Sequence, residues 1–227
     1  MAMHGSYYSE TLSAGRLELC YEVAPPRVQE YLEAEIRHVH EALRPGMKVL
    51  ELGCGYGRVL RSLAGSDAVF PVGIDISLQS LLLAAGLQAC DSRISLAAMD
   101  ALDLGFKDDA FDLVACVQNG ISVFGIDKRL LISEAVRVTK PGGAVLISTY
   151  AEEFWEDRLE WFRIQASYGL IGEIDEIRTG NGVIACKDGF SAGTLPKDEF
   201  ARLAESLGLS ARLRTVDNSS LFCEIRV

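Results

Sequence analysis

Val49-Leu50-Glu51-Leu52-Gly53-Cys54-Gly55-Tyr56-Gly57 decides the fold. Met47 to Leu52 reads as a buried strand. Three alternating glycines follow, which permit a tight turn and let a ligand approach the backbone. A helix opens at Arg58. An acid, Glu51, therefore stands at the end of a strand that feeds a glycine loop and a helix.

The same alternation continues outward. Val69 to Asp75, Arg93 to Ala97, Phe111 to Val117 and Ala144 to Thr149 read as further strands. Between them, Ser77 caps a helix over 78–89, and a helix over 127–139 stops at Lys140-Pro141-Gly142-Gly143. Upstream, Pro25-Pro26 opens a helix through Val28, Tyr31, Leu32, Ile36 and Val39 that ends before Arg44. Strands rich in Val, Ile and Leu, each followed by a helix, imply a parallel sheet covered on both faces. The last third differs. An acidic aromatic helix over 151–167 precedes a hairpin of Ile174–Arg178 and Val183–Lys187, turning at Gly180-Asn181-Gly182. A helix over 196–207 and an antiparallel pair, 210–216 and 220–226, close the chain. The reading is an α/β single domain over 1–227. Its parts are an N-terminal lid and helix (1–44), a core (45–150), an insertion (151–195) and a closing helix with its strand pair (196–227).

Composition narrows the function. The 227 residues are 49% hydrophobic and 24% charged, the range of a globular chain. The net charge of −10 argues against nucleic-acid binding, which needs a basic face. The longest apolar run, Leu81 to Leu87, is far below the ~20 residues that span a bilayer, so no membrane role is expected. Met1 to Tyr7 has no basic and then apolar signal pattern. The six cysteines are 26 residues apart at the closest, which excludes CxxC pairs and reads as reduced, mostly buried thiols of a cytoplasmic protein. The residues carry no reading of oligomeric state.

In an open parallel sheet, ligands bind beyond the carboxyl ends of the strands. A dinucleotide fingerprint is GxGxxG, with pyrophosphate on the helix N-terminus. The spacing here is GxGxG, and a carboxylate at Glu51 would repel a pyrophosphate. It would favour a ligand with an ammonium and a sulfonium, as in S-adenosylmethionine. Asp75 ends the second strand, 20 residues after Gly55, where a carboxylate can accept from both ribose hydroxyls. It also reads as an acid at a helix N-terminus. Asp100, in the turn after the third strand, can accept from an adenine amino group.

These residues resemble the class I, Rossmann-like S-adenosylmethionine-dependent methyltransferases, and most of all the small-molecule type 11 or 25 branch. The resemblance rests on Val49 to Gly57, Gly73-Ile74-Asp75-Ile76-Ser77, Asp100-Ala101, Phe111-Asp112-Leu113-Val114 and Lys140-Pro141-Gly142-Gly143, and it covers about residues 45–150. It implies a three-layer αβα sandwich whose seven-stranded, mostly parallel sheet has an antiparallel last strand. It implies S-adenosyl-L-methionine as cofactor and S-adenosyl-L-homocysteine as product. Glu51, Gly53 and Gly55 would contact the methionine moiety, Asp75 the ribose, and Ile76 the adenine face. Asp100 and Ala101 would take the adenine edge, and Val117 or Gln118 would lie near the cofactor's amino group.

The acceptor is less legible. Gln118-Asn119-Gly120 follows the fourth strand, where the transferred methyl is expected. There is no Asn/Asp-Pro-Pro-aromatic run, no Pro-Cys or Thr-Cys, and no metal-binding Asp at Gln118. No metal is expected. His38 and His40, two apart on a helix, make no metal pair, and no catalytic base is named. Direct transfer needs chiefly alignment of nucleophile, methyl and sulfur. Pocket candidates are Asn119 and, from outside the core, Tyr7, Tyr8 and Tyr21 in a lid-like N-terminal segment and the 151–167 helix. On that helix Phe154, Trp155, Trp161, Phe162 and Gln165 form an aromatic face, and Arg158 or Arg163 would recognise a carboxylate. Core packing is the competing reading of that face. The expected function is methyl transfer to a small molecule by in-line displacement. The alternatives are a regulatory module that binds the cofactor without turnover, or a nicotinamide-dependent dehydrogenase.

Overall fold

A computed structural model describes residues 7, 11–65, 69–87, 93–123 and 127–227. Two helices, α1 (Gly15–Glu22) and α2 (Pro26–Glu41), precede β1 (Lys48–Leu52). Then come α3 (Arg58–Ala64), β2 (Phe70–Asp75), α4 (Leu78–Leu87), β3 (Ser95–Ala98) and β4 (Phe111–Cys116). A one-turn helix α5 (Gly120–Val123), α6 (Lys128–Arg137) and the long β5 (Thr139–Tyr150) follow. A 3-10 turn (Glu152–Phe154) leads into α7 (Trp155–Ser167), the short strands β6 (Ile184–Ala185) and β7 (Ser191–Ala192), and α8 (Lys197–Ser206). The last pair is β8 (Ala211–Val216) and β9 (Ser220–Arg226).

The main sheet has seven strands in the order β3-β2-β1-β4-β5-β9-β8. Pairs from β3 to β5 are parallel, whereas β9 is antiparallel to both β5 and β8. Alternate side chains bury against opposite layers, as a sheet covered on both faces requires. Leu50, Val114, Val145 and Ile225 pack with Leu131 of α6 and Phe200 of α8. Val49, Leu113, Leu146 and Phe222 pack with Val39 of α2 and Val59 and Leu63 of α3. At the amino edge of the sheet, Asp112 Oδ2 accepts from the Lys48 amide at 2.8 Å and its Oδ1 accepts from Lys140 Nζ at 2.7 Å. One carboxylate thus ties β1, β4 and β5. The Lys140–Gly143 turn lies inside β5 as an irregularity in its pairing with β4.

A second core lies over the carboxyl ends of the strands. Leu12 and Cys20 from the N-terminal segment meet Tyr31 of α2, Tyr150, Trp161 and Phe162 of α7, and Phe190 beside β7. The N-terminal segment and the insertion therefore form one cap. Helix α1 has no strong apolar stripe: of its residues only Cys20 is buried, and Gly15, Arg16 and Glu22 are exposed. The expected hairpin is corrected. Asp175 Oδ1 accepts from the amides of Ile177 and Arg178 at 3.1 and 3.2 Å, an Asx turn that stops a strand over 174–178. The 184–185 strand pairs forward with 191–192 instead, and only single bridges join Ile174 to Cys186 and Gly180 to Val183.

Candidate cofactor site

The glycine loop is fixed from β2. Gly53 and Cys54 both donate their amides to the Ile74 carbonyl at 2.9 Å. Asp75 Oδ2 accepts from the Gly55 amide and Oδ1 from the Ser77 amide, each at 2.8 Å. Its carboxylate thus joins the loop to the start of α4, and burial raises its pKa against those two amides. Gly55 has φ 53°, and a side chain there would also meet Leu17 Cδ2 of α1 at 3.0 Å. At Gly73 the need is space: a Cβ would lie 2.3 Å from Leu60 Cδ1 and 2.7 Å from Cys54 Sγ.

Glu51 and Arg58 stand on either side of this loop and line one cavity with Gly55, Asp75, Ile76 and Val117. Glu51 is 4% exposed, and its Oε2 has no hydrogen-bond partner. Burial pushes its pKa up to about 8, although the nearby Arg58 charge pulls the other way. Arg58 Nε and Nη2 are buried and equally unpartnered, while its guanidinium lies 4.9 Å over the Tyr21 ring.

The end of β4 is held by a buried carboxylate. Gln118 and Asn119 both adopt left-handed backbone, φ 57° and 62°, which a non-glycine residue keeps only where its surroundings hold it. Glu35 of α2 accepts from the Gln118 amide at 2.7 Å and from the Ser220 hydroxyl at 2.8 Å. The Gln118 amide is shared with Ser148 Oγ at 2.9 Å. Burial raises the Glu35 pKa, opposed by these bonds. Asn119 is engaged on both sides: its Oδ1 accepts from Thr149 Oγ1 at 2.7 Å, and its Nδ2 donates to the Gly193 carbonyl at 3.0 Å. Gln118 Oε1 accepts from the Tyr21 hydroxyl at 3.1 Å, leaving Nε2 buried and unpartnered.

The far wall of the cavity is aromatic. Tyr21, Tyr150, Trp161 and Phe162 line it with Gln165. Trp161 Nε1 donates to the Cys20 carbonyl at 2.8 Å, which locks α7 to α1. Arg158 lies one turn before Phe162 on the same stripe of α7, 5.4 Å over its ring, yet lines a different cavity. Arg158 is fully buried, donates to the Gly182 and Ala192 carbonyls at 3.0 and 2.7 Å, and lies 4.4 Å over the Tyr150 ring. It and Trp155 line a second cavity behind Tyr150, so the acceptor carboxylate role expected of Arg158 has no support in its contacts. Arg163 is exposed and paired with Glu176.

Other expected residues fall elsewhere. Tyr7 donates to Asp188 Oδ2 at 2.9 Å and packs on Phe190, away from the cavity. Tyr8 and Cys90 lie outside the described residues. Asp100 is exposed and caps its own turn through the Leu102 amide at 2.9 Å; the buried Ala101 packs in the core. Both sit past the end of β3, beside β2, but not on the cavity wall. His38 and His40 point to Glu224 and Ser62, so neither serves the cavity. Sequence reasoning missed Arg58 and Glu35. Glu35 was visible as a charged residue in the apolar stripe Val28, Leu32, Glu35, Val39. Arg58 carried no signal beyond following the third glycine. Among the described residues, no three His, Cys, Asp or Glu side chains group as metal ligands, and no helix is long and apolar enough to cross a membrane.

Comparison with known proteins agrees with this geometry. A family model described as a methyltransferase domain matches residues 49–143. The chain is 32% identical over 148 residues to 2-methyl-6-phytyl-1,4-hydroquinone methyltransferase of Synechocystis, covering 58% of this chain and 46% of that protein. It spans about half, or less, of the length of the curated relatives it matches. A solved Pyrococcus horikoshii protein superposes with TM-score 0.70 at 20% identity, covering 97% of each chain. Haemonchus contortus phosphoethanolamine N-methyltransferase 2, solved with S-adenosylhomocysteine, superposes with TM-score 0.62 at 21% identity, covering 93% of this chain and 46% of that one. The strand order, the glycine loop and the family match converge: residues 49–143 match a methyltransferase domain, carried here on a Rossmann-like fold.

Proposed function

We propose that the chain transfers a methyl group from S-adenosylmethionine to a small-molecule acceptor by direct in-line displacement. The observation that carries this reading is the unpartnered Glu51 carboxylate beside the glycine loop, with Asp75 at the next strand end. An orphaned buried acid suits a ligand with a positive end and no phosphate. When bound, S-adenosylmethionine supplies a methyl already activated on a sulfonium. The chain's own task is then placement. Glu51 takes the ammonium, Asp75 the ribose hydroxyls, and Ile76 packs on the base. Glu35 holds the Gln118–Asn119 turn, which keeps the Gln118 side chain on the cavity wall. The aromatic wall excludes water and fixes the acceptor in line with the departing sulfur.

The wall also bears on the acceptor class. Tyr21, Tyr150, Trp161 and Phe162 favour a ring-bearing, largely apolar body, with Gln118 and Gln165 available to one oxygen or nitrogen on it. The named substrate of the Synechocystis relative, a hydroquinone, has that character. Among the described residues no histidine lines the cavity. The test is transfer of labelled methyl to a panel of phenols, quinols, amines and short carboxylic acids, run beside calorimetry with S-adenosylhomocysteine. Turnover confined to ring-bearing acceptors supports the reading. Absence of S-adenosylhomocysteine binding overturns it.

A further inference from the structure

Two ionisable side chains of opposite kind, an acid and a guanidinium, enter the cavity with polar atoms left unmatched. Glu51 comes from the end of β1 and Arg58 from the first turn of α3, with the glycine loop between them. Each feels the other's field, yet no ion pair within 4.0 Å joins them among the described residues. Glu51 Oε2 is unpartnered, and so are Arg58 Nε and Nη2. Those two nitrogens are the pair that forms the side-on fork of a guanidinium, the edge that receives both oxygens of a carboxylate. The plane of the fork is fixed from below. Arg58 rests on the Tyr21 ring, and Tyr21 is held through its hydroxyl by Gln118.

An acid and a base that share a desolvated cavity without touching match a ligand with both charges on neighbouring atoms. That is an α-amino acid end. We propose that Arg58 binds the α-carboxylate of the cofactor's methionine moiety side-on while Glu51 binds its α-ammonium, so that the two residues clamp one zwitterion. The inference rests on the cofactor reading above and adds a residue to it. Lysine in place of Arg58 would keep the charge and lose the fork. The lid is part of the clamp, because Tyr21 supplies the surface on which the guanidinium lies flat.

The test compares two probes by calorimetry: S-adenosylhomocysteine, and methylthioadenosine, which has the nucleoside and sulfur but no amino acid end. In the unaltered protein the first should bind more tightly. Arg58→Ala should weaken S-adenosylhomocysteine by roughly tenfold to a hundredfold, the range for a lost charged hydrogen bond. Arg58→Lys should recover only part of that loss. Methylthioadenosine should bind all three proteins equally, which also shows that the variants are folded. Arg58→Ala with unchanged S-adenosylhomocysteine affinity, or with both probes weakened alike, overturns the clamp and leaves the cofactor reading standing. Failure of the unaltered protein to bind either probe overturns both.

Discussion

The Gly55 amide donates to Asp75 Oδ2 at 2.8 Å, so the last residue of β2 holds the middle of the loop that leaves β1. The second oxygen of the same carboxylate holds the start of α4. A side chain assigned to a ligand is thus also a fastener of the site that receives it. Asp75→Ala should weaken S-adenosylhomocysteine by about 1.5–3 kcal/mol, from lost hydrogen bonds to a charged acceptor. Calorimetry should show no binding of NADH to either protein. Unchanged affinity for S-adenosylhomocysteine would remove Asp75 from the ribose.

Glu51 makes binding sensitive to pH. Its pKa without ligand is raised from 4.5 to about 8 by burial, so its contribution to stability is full below the lower value and lost as pH rises through the upper. Glu51→Gln should therefore gain stability relative to the unaltered protein between pH 5 and 8.5, read from urea midpoints. An ammonium on Glu51 favours the ionised acid. Near pH 6.5, cofactor binding should release close to one proton, about none at pH 9, and markedly less in Glu51→Gln. Calorimetry in buffers of different ionisation enthalpy measures this. Proton uptake in its place would contradict the contact.

Helix α1 covers the loop through Leu17 and grips α7 through Cys20 and Trp161. Entry of a cofactor-sized ligand requires that grip to loosen and close again. Hydrogen exchange in Gly15–Glu22 should slow on adding S-adenosylhomocysteine, together with α7, while β1, β4 and β5 change little. Equal exchange with and without ligand would make α1 a permanent wall.

Asn119 works as a brace. Asn119→Ala removes its bonds to Thr149 and Gly193 and keeps a left-handed backbone that alanine tolerates poorly. Thermal unfolding should show a loss of roughly 1–3 kcal/mol. A variant as stable as the original, with only acceptor binding impaired, would make Asn119 a ligand contact instead.

Gln118 stands where a metal-dependent relative would need an acid. Once an acceptor is found, a chelator should leave turnover unchanged. Activity lost to the chelator and restored by magnesium would reverse that reading.

The sheet was legible because its strands are long apolar runs set off by glycine and proline, a pattern that one layer of neighbours on each face imposes locally. The glycine loop, Asp75 and Ile76 were legible for the same reason: they are adjacent in sequence to the strand ends that place them. The cap was not. Tyr21 meets Gln118 across 97 residues of chain and Cys20 meets Trp161 across 141, and nothing local announces which face of α7 turns inward. The chemistry of Arg158 suits an anion, and its contacts include three aromatic rings and three carbonyls, none of them legible in the sequence. The Asp175 turn rewrote the hairpin through two hydrogen bonds that composition does not distinguish from a strand end.

The position of β9 has a consequence for how the protein is made. It lies between β5 and β8, and it is translated after both. Until residues 220–226 leave the ribosome, β5 carries an open edge over Ala144–Tyr150 and β8 has nothing to pair with. Phe222 and Ile225 are missing from the two apolar layers for the same interval. The nascent chain must therefore protect a sticky strand while residues 151–226 are made, the state in which edge-to-edge aggregation competes with folding. A stop codon before Ser220 should send the product to inclusion bodies, although it would leave every residue of the glycine loop in place.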